Sequence, residues 1–252
     1  MITLSRNIVP RLKVGLFVLL LVFSNESALA KVTISYLSIG DSIMAGFGNP
    51  AGTNPVAYSA VDLTASGYTA VFGNAAVGGS KASDWQPGMT NFTNAMALAA
   101  SMTTHPSIAV IMLGVNDAKP FNYNDVGKYI GNMKNIVNQL VKNGYKVILT
   151  DCMYIANGDH MGLLSWDDGA GKLIVEYNTA LAGLDNGDTV RYFGGLYAWA
   201  RNNQSTTTFP DGVHPNAAGD SVIGKFMAKA ISAVIDGAPG GKPNTGLDKD
   251  GR

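Results

Sequence analysis

The stretch VTISYLSI followed by GDSI, residues 32–43, decides how this chain is read. Val32 to Ile39 is an apolar run rich in β-formers, so it reads as a buried strand. Gly40-Asp41-Ser42-Ile43 then turns the chain and leaves a serine at the strand's exit. In α/β proteins reacting groups gather there, at the carboxyl edge of a parallel sheet. A Gly-Asp-Ser turn alone is an ordinary solvated helix entry. Its meaning depends on what the other strand exits carry.

Working outward, apolar β-prone runs alternate with helical patterns. Strands are predicted over 32–39, 69–74, 107–113, 146–150 and 189–193. Helices are predicted over 57–66, 91–101, 124–143, 170–184 and 217–235. The helix over 124–143 is the clearest. Val126, Tyr129, Ile130, Met133, Ile136, Val137, Leu140 and Val141 recur at helical spacing, and Gly144 stands at the stop. Short apolar strands separated by helices imply a mainly parallel five-stranded sheet covered on both faces. No GxGxxG or P-loop pattern supports a nucleotide site.

Residues 1–30 read as a signal peptide. Arg6, Arg11 and Lys13 make a basic start, Val14–Phe23 an apolar run, and Ala28-Leu29-Ala30 a small-x-small cleavage pattern. The apolar run is half the ~20 residues that a spanning helix needs. The expectation is therefore export to the periplasm or the medium, with no stable membrane anchor. Residues 31–236 form the predicted domain, and the Gly/Pro-rich charged tail 237–252 reads as disordered. The whole chain balances 18 Lys and Arg against 18 Asp and Glu; without the first thirty residues the net charge is −2. No basic field exists to attract nucleic acid. The one cysteine, Cys152, allows no internal disulfide and reads as a small buried hydrophobe at a strand end.

A serine hydroxyl becomes a nucleophile only when a base takes its proton, and histidine is the usual base. Three histidines are available. His105, before Pro106, reads as structural, and His160, in a polar loop, as solvated. His214 stands in Asp211-Gly212-Val213-His214-Pro215-Asn216, just before the last helix. A turn of that length can bring the Asp211 carboxylate to the far nitrogen of the ring and fix its tautomer. Donors for a developing oxyanion have two sources. Gly114-Val115-Asn116-Asp117 follows the third strand and offers an asparagine amide, and Asn74–Ser80 follows the second strand and offers glycine N–H groups.

These four blocks, in their chain order Gly40–Ile43, Asn74–Ser80, Gly114–Asp117 and Asp211–His214, resemble those of the SGNH (GDSL-type) family of serine esterases and lipases. The resemblance spans residues 33 to about 235 and implies a flavodoxin-like three-layer α/β/α sandwich. It implies Ser42 as nucleophile, His214 as base and Asp211 as the orienting acid. The oxyanion hole it implies is made of Ser42 N–H, Gly79 N–H and the Asn116 side chain. Ile43 replaces the leucine of the motif, a packing position. Gly78 and Gly79 both stand in the second block; Gly79 is chosen because it lies five residues after Asn74. Met44 stands where a Gly-x-Ser-x-Gly elbow has its last glycine, which argues against the α/β-hydrolase fold.

The expected activity is hydrolysis of carboxylic esters with short acyl groups, such as acetyl groups on carbohydrate, without metal or organic cofactor. The partner expected is a small-molecule or carbohydrate ester. A lysophospholipase or thioesterase would prefer long chains, and an O-acyltransferase would exclude water. A carbohydrate-binding module would have kept the fold and lost the chemistry. Trp85, Phe121, Tyr123, Met153 and Tyr154 follow sheet exits and are candidates to line an acyl or sugar pocket.

Overall fold

The predicted strands pair as one parallel sheet in the order β2-β1-β3-β4-β5. They are β1 (Thr33–Gly40), β2 (Thr69–Asn74), β3 (Ile108–Met112), β4 (Lys146–Thr150) and β5 (Val190–Phe193). A computed structural model describes residues 32–119, 125–155 and 168–237. The predicted signal peptide, His160, Phe121, Tyr123 and all but the first residue of the charged tail lie outside the described residues.

Central position explains the composition of the strands. β3 is buried at every residue and β1 at all but its first, because helices cover both faces. β2, at the edge, is more open, and its Phe72 is exposed. The helices are α1 (Ser42–Ala45), α2 (Pro55–Ala65), α3 (Thr90–Ser101), α4 (Val126–Lys142), α5 (Asp168–Ala182), α6 (Leu196–Asn202) and α7 (Ala217–Ile235). The chain moves one way along the sheet from β1 to β2 and the other way from β2 to β5, so the right-handed crossover rule puts α2 on one face and α3, α4 and α5 on the other. α7 packs on α2, and α4 packs on α5, which gives the three-layer α/β/α sandwich. α4 buries Tyr129, Met133, Ile136, Val137 and Leu140, the stripe that its periodicity predicts, and Asp125 caps its first turn by accepting from Lys128 N–H.

Connectivity positions the site. The chain runs outward from β1 to β2, then returns past β1 to β3. The order therefore reverses between β1 and β3, and a crevice opens above their carboxyl ends at such a switch point. β1 and β3 end level, with Gly40 paired to Met112, and β2 ends two residues lower, where Asn74 pairs with Ser38.

Among the described residues three short elements have no counterpart in the predicted ones: α1, α6 and a 3-10 turn at Ala82–Trp85. α6 is capped from a distance. The buried Asp151, just after β4, accepts from Gly195 N–H at 2.6 Å and Tyr197 N–H at 3.1 Å, and also from the Tyr192 hydroxyl. Burial raises the Asp151 carboxyl above its ordinary range, against those hydrogen bonds.

Candidate active site

Asp41 builds the nucleophile's position. Its Oδ1 accepts from Ile43 N–H at 3.0 Å and caps α1, so Ser42 becomes the first helical residue. The Ser42 N–H has no acceptor among the described residues. The turn is tight: a Cβ on Gly40 would stand 2.4 Å from Met44 Cβ, so glycine is required for the strand to meet the helix. Burial pushes the Asp41 carboxyl up to about 7; the Ile43 hydrogen bond opposes this, and the nearby Asp117 carboxylate adds to it.

His214 meets Ser42 across 172 residues. Its Nε2 lies 2.8 Å from Ser42 Oγ, and its Nδ1 lies 2.6 Å from Asp211 Oδ2. Asp211 Oδ1 accepts from the N–H groups of Val213 (2.9 Å) and His214 (2.7 Å). Partial burial raises the Asp211 carboxyl, but its bonds from the His214 ring and the two backbone donors outweigh burial and hold it below the usual carboxylate range. An ionised Asp211 holds the proton on Nδ1, which leaves Nε2 with a lone pair facing the serine hydroxyl.

The second and third blocks are stitched to the first. Gly40 carbonyl accepts from Val77 N–H and from Ser80 Oγ. Asn74 donates to the Met44 carbonyl. Asn116 Nδ2 donates to the Ser80 carbonyl at 3.1 Å, and Asp117 Oδ2 accepts from Ala82 N–H at 3.0 Å. Val77 to Ser80 form a type II turn: Ser80 N–H bonds the Val77 carbonyl, and Gly79 has φ +74°. The third position of that turn needs glycine. Gly79 N–H has no acceptor among the described residues. Gly78 lies beside it, where a Cβ would come 3.9 Å from Ser42 Cβ. Ser42, Gly78, Gly79, Asn116, Lys119 and His214 all line one cavity of about 330 Å³.

The fold thus brings together Ser42, Asp211, His214, Gly79 and Asn116. His105 is exposed at the amino end of β3, with its ring 5.8 Å from that of Tyr145, away from the cavity. Cys152 is buried, donates to the Leu113 carbonyl at 2.9 Å, and has its thiol pushed up by burial. Three of the aromatic and sulfur candidates are corrected. Trp85 is fully buried and donates to Ser80 Oγ at 2.9 Å, so it braces the turn instead of lining a pocket. Met153 is core, and Tyr154 packs edge-on against Tyr197.

The sequence reading missed Phe47, Asn49, Lys119 and Asp220. Phe47 is exposed and its ring centroid stands 4.5 Å from that of His214. Asn49 Nδ2 donates to the Pro215 carbonyl (3.0 Å) and to Asp220 Oδ2 (2.7 Å), and so ties the loop after Ser42 to the loop after His214. Asp220 is buried, and its Oδ1 has no partner among the described residues. Burial pushes its carboxyl up to about 7 against the Asn49 bond. Lys119 is lowered by partial burial, opposed by the Asp41 charge. Among the described residues no group of three or more His, Cys, Asp or Glu is placed to hold a metal, and no helix is long and apolar enough to cross a membrane.

No curated protein matches the sequence. Solved structures share the fold at low identity. The lipase/acylhydrolase from Enterococcus faecalis is 20% identical, with a TM-score of 0.62 over 79% of this chain and 96% of that one. A carbohydrate acetylesterase family member from Sinorhizobium meliloti is 15% identical, with a TM-score of 0.62 over 81% and 99%. The M. smegmatis aryl esterase is 17% identical, with a TM-score of 0.61 over 80% and 99%. A family model, that of the GDSL-like lipase/acylhydrolases, matches residues 38–222, from inside β1 to inside α7. The chain therefore belongs to the GDSL-like lipase/acylhydrolase family and is a carboxylic ester hydrolase.

Proposed function

We propose that this protein hydrolyses short acyl esters, acetyl esters above all, through an acyl-enzyme on Ser42. The observation that carries this is the hydrogen-bonded line Ser42–His214–Asp211 opening on the cavity that Gly79 and Asn116 also line. His214 Nε2 takes the Ser42 proton as Oγ bonds to the ester carbonyl carbon. The tetrahedral oxyanion is received by Ser42 N–H, Gly79 N–H and the Asn116 amide. The carbon–alkoxy bond then breaks, and the leaving oxygen takes the proton from Nε2. Water attacks the acyl-enzyme, passing its proton to Nε2. Ser42 Oγ recovers that proton as the carboxylic acid departs.

The short-acyl preference rests on size. A cavity of about 330 Å³ is at the lower end of ligand sites, roughly 300–1,000 Å³. Carbohydrate acetates come first among natural substrates, in keeping with the carbohydrate acetylesterase that shares this fold. A series of p-nitrophenyl acetate, butyrate, octanoate and palmitate tests the preference: kcat/KM peaks at acetate or butyrate, and a peak at octanoate or beyond refutes it. Labelling by a fluorophosphonate at Ser42 tests the nucleophile; an unlabelled Ser42 in folded protein refutes the acyl-enzyme.

Export belongs to the same proposal. The basic start, the apolar run and the Ala28-Leu29-Ala30 pattern support a cleaved leader. N-terminal sequencing of the protein recovered outside the cytoplasm then begins at Lys31. A first residue of Met1 there refutes cleavage.

A further inference from the structure

We propose that Phe47 is the platform on which the leaving alcohol rests, and that it selects alcohols bearing a ring with an apolar face. This rests on the esterase reading above and says which part of the ester the enzyme recognises.

Phe47 is 59% exposed, so its own burial in the fold does not account for a large apolar ring there. Its position is nonetheless defined. Phe47 N–H bonds the Ser42 carbonyl at 3.0 Å, and Asn49 pins the following turn to Pro215 and Asp220. The ring is held 4.5 Å from the His214 imidazole, centroid to centroid, at 41°. It walls the nucleophile's cavity and also an adjoining one of about 220 Å³, bordered by Pro210, Asp211 and Pro215.

The proton route tells the two ends of the ester apart. The leaving oxygen must come within a hydrogen bond of His214 Nε2, roughly 2.6–3.2 Å, to receive its proton. The atoms that follow that oxygen are then within a ring's width of Phe47. Among the described residues, the other exposed apolar groups near the site, Val77 (40%) and Met89 (50%), border a separate hollow that shares Gly78 and Gly79, on the oxyanion side. Phe47 therefore faces the alcohol. A benzene ring and the C–H face of a pyranose share the chemistry that stacks on such a platform.

The test uses three esters with one acyl group: phenyl acetate, an acetylated methyl pyranoside and ethyl acetate. Comparing variant with wild type for each ester cancels the intrinsic differences between leaving groups. Phe47→Ala is expected to raise KM for one or both ring esters about 3–10-fold more than it raises KM for ethyl acetate. Phe47→Trp is expected to restore the ring esters. A rise for phenyl acetate alone identifies an aryl alcohol as the ligand, and a rise for the pyranoside alone a sugar. An equal fall in kcat for all three esters overturns the proposal, because the ring then acts only on the histidine. Unchanged kinetics for all three also overturns it. A wild type inert to every ester, with Ser42 unlabelled by fluorophosphonate, sinks the esterase reading itself and this inference with it.

Discussion

Ser42 and His214 touch, yet the two regions that bring them together are built differently. Ser42 stands directly on a central strand. Gly40 pairs with Met112, Asp41 is buried as a helix cap, and Ile43 and Met44 plug into the core. His214 stands in a loop that belongs to no strand, and its side chain and that of Asp211 are each 19% exposed. Hydrogen bonds reaching in from elsewhere hold that loop: Asn49 to Pro215, Asn216 N–H to the Thr208 carbonyl, and Asn216 Nδ2 to the Thr207 carbonyl. The nucleophile is fixed by packing and the base by polar clamps. Packing tolerates the loss of one polar group near it, whereas each polar clamp is lost with its own donor.

Four measurements break or sharpen that contrast. Ser42→Ala lowers turnover by about 10⁴-fold or more and leaves thermal unfolding nearly unchanged, since the sheet and Asp41 hold the turn without the hydroxyl. Asn116→Ala lowers kcat by about 10²–10³-fold, read with p-nitrophenyl acetate. Asn49→Ala, far weaker, lowers kcat by about 10-fold and costs about 1–3 kcal/mol of stability, because it leaves the buried Asp220 without its donor. Equal effects of Asn49→Ala and a nucleophile-side variant such as Asn74→Ala would erase the distinction.

The smallest effect is on stability against pH. Asp41 and Asp220 are raised to about 7 in the folded chain, so between pH ~4 and 7 the folded state holds protons that the unfolded state has released. Their contribution is complete below about pH 4 and is lost as pH rises through 7. Asp211 is lowered, so its contribution runs the other way and is lost as pH falls below the ordinary carboxylate range. The melting temperature is expected to fall by a few degrees from pH 5 to pH 8. Asp220→Asn removes part of that slope, and an unchanged slope in this variant would show that Asp220 does not titrate there.

Legibility followed range. β1 to β5 came through because a doubly covered sheet writes continuous apolar runs, and α4 because one half-exposed face writes a period. The four site blocks came through because each is local: a strand exit with the glycine or polar residue that its own turn requires. α6 did not, since its cap is Asp151, 44 residues upstream of Gly195. Asn49 did not either, since its meaning lies in Pro215 and Asp220, 166 and 171 residues away. Trp85 was misread because an aromatic after a strand exit looks alike whether it faces a pocket or, as here, props a turn from below.

The packing of α7 on α2 has a consequence in time. α2 follows the nucleophile by only a dozen residues, but its covering partner, α7, begins only at Ala217, and His214 sits just upstream of that helix. A nascent chain carries its hydroxyl long before its imidazole. Until the final segment docks, half of one sheet face is bare and the serine has nothing to surrender its proton to. Chemistry therefore waits on the docking of α7 against α2, however early the serine is in place.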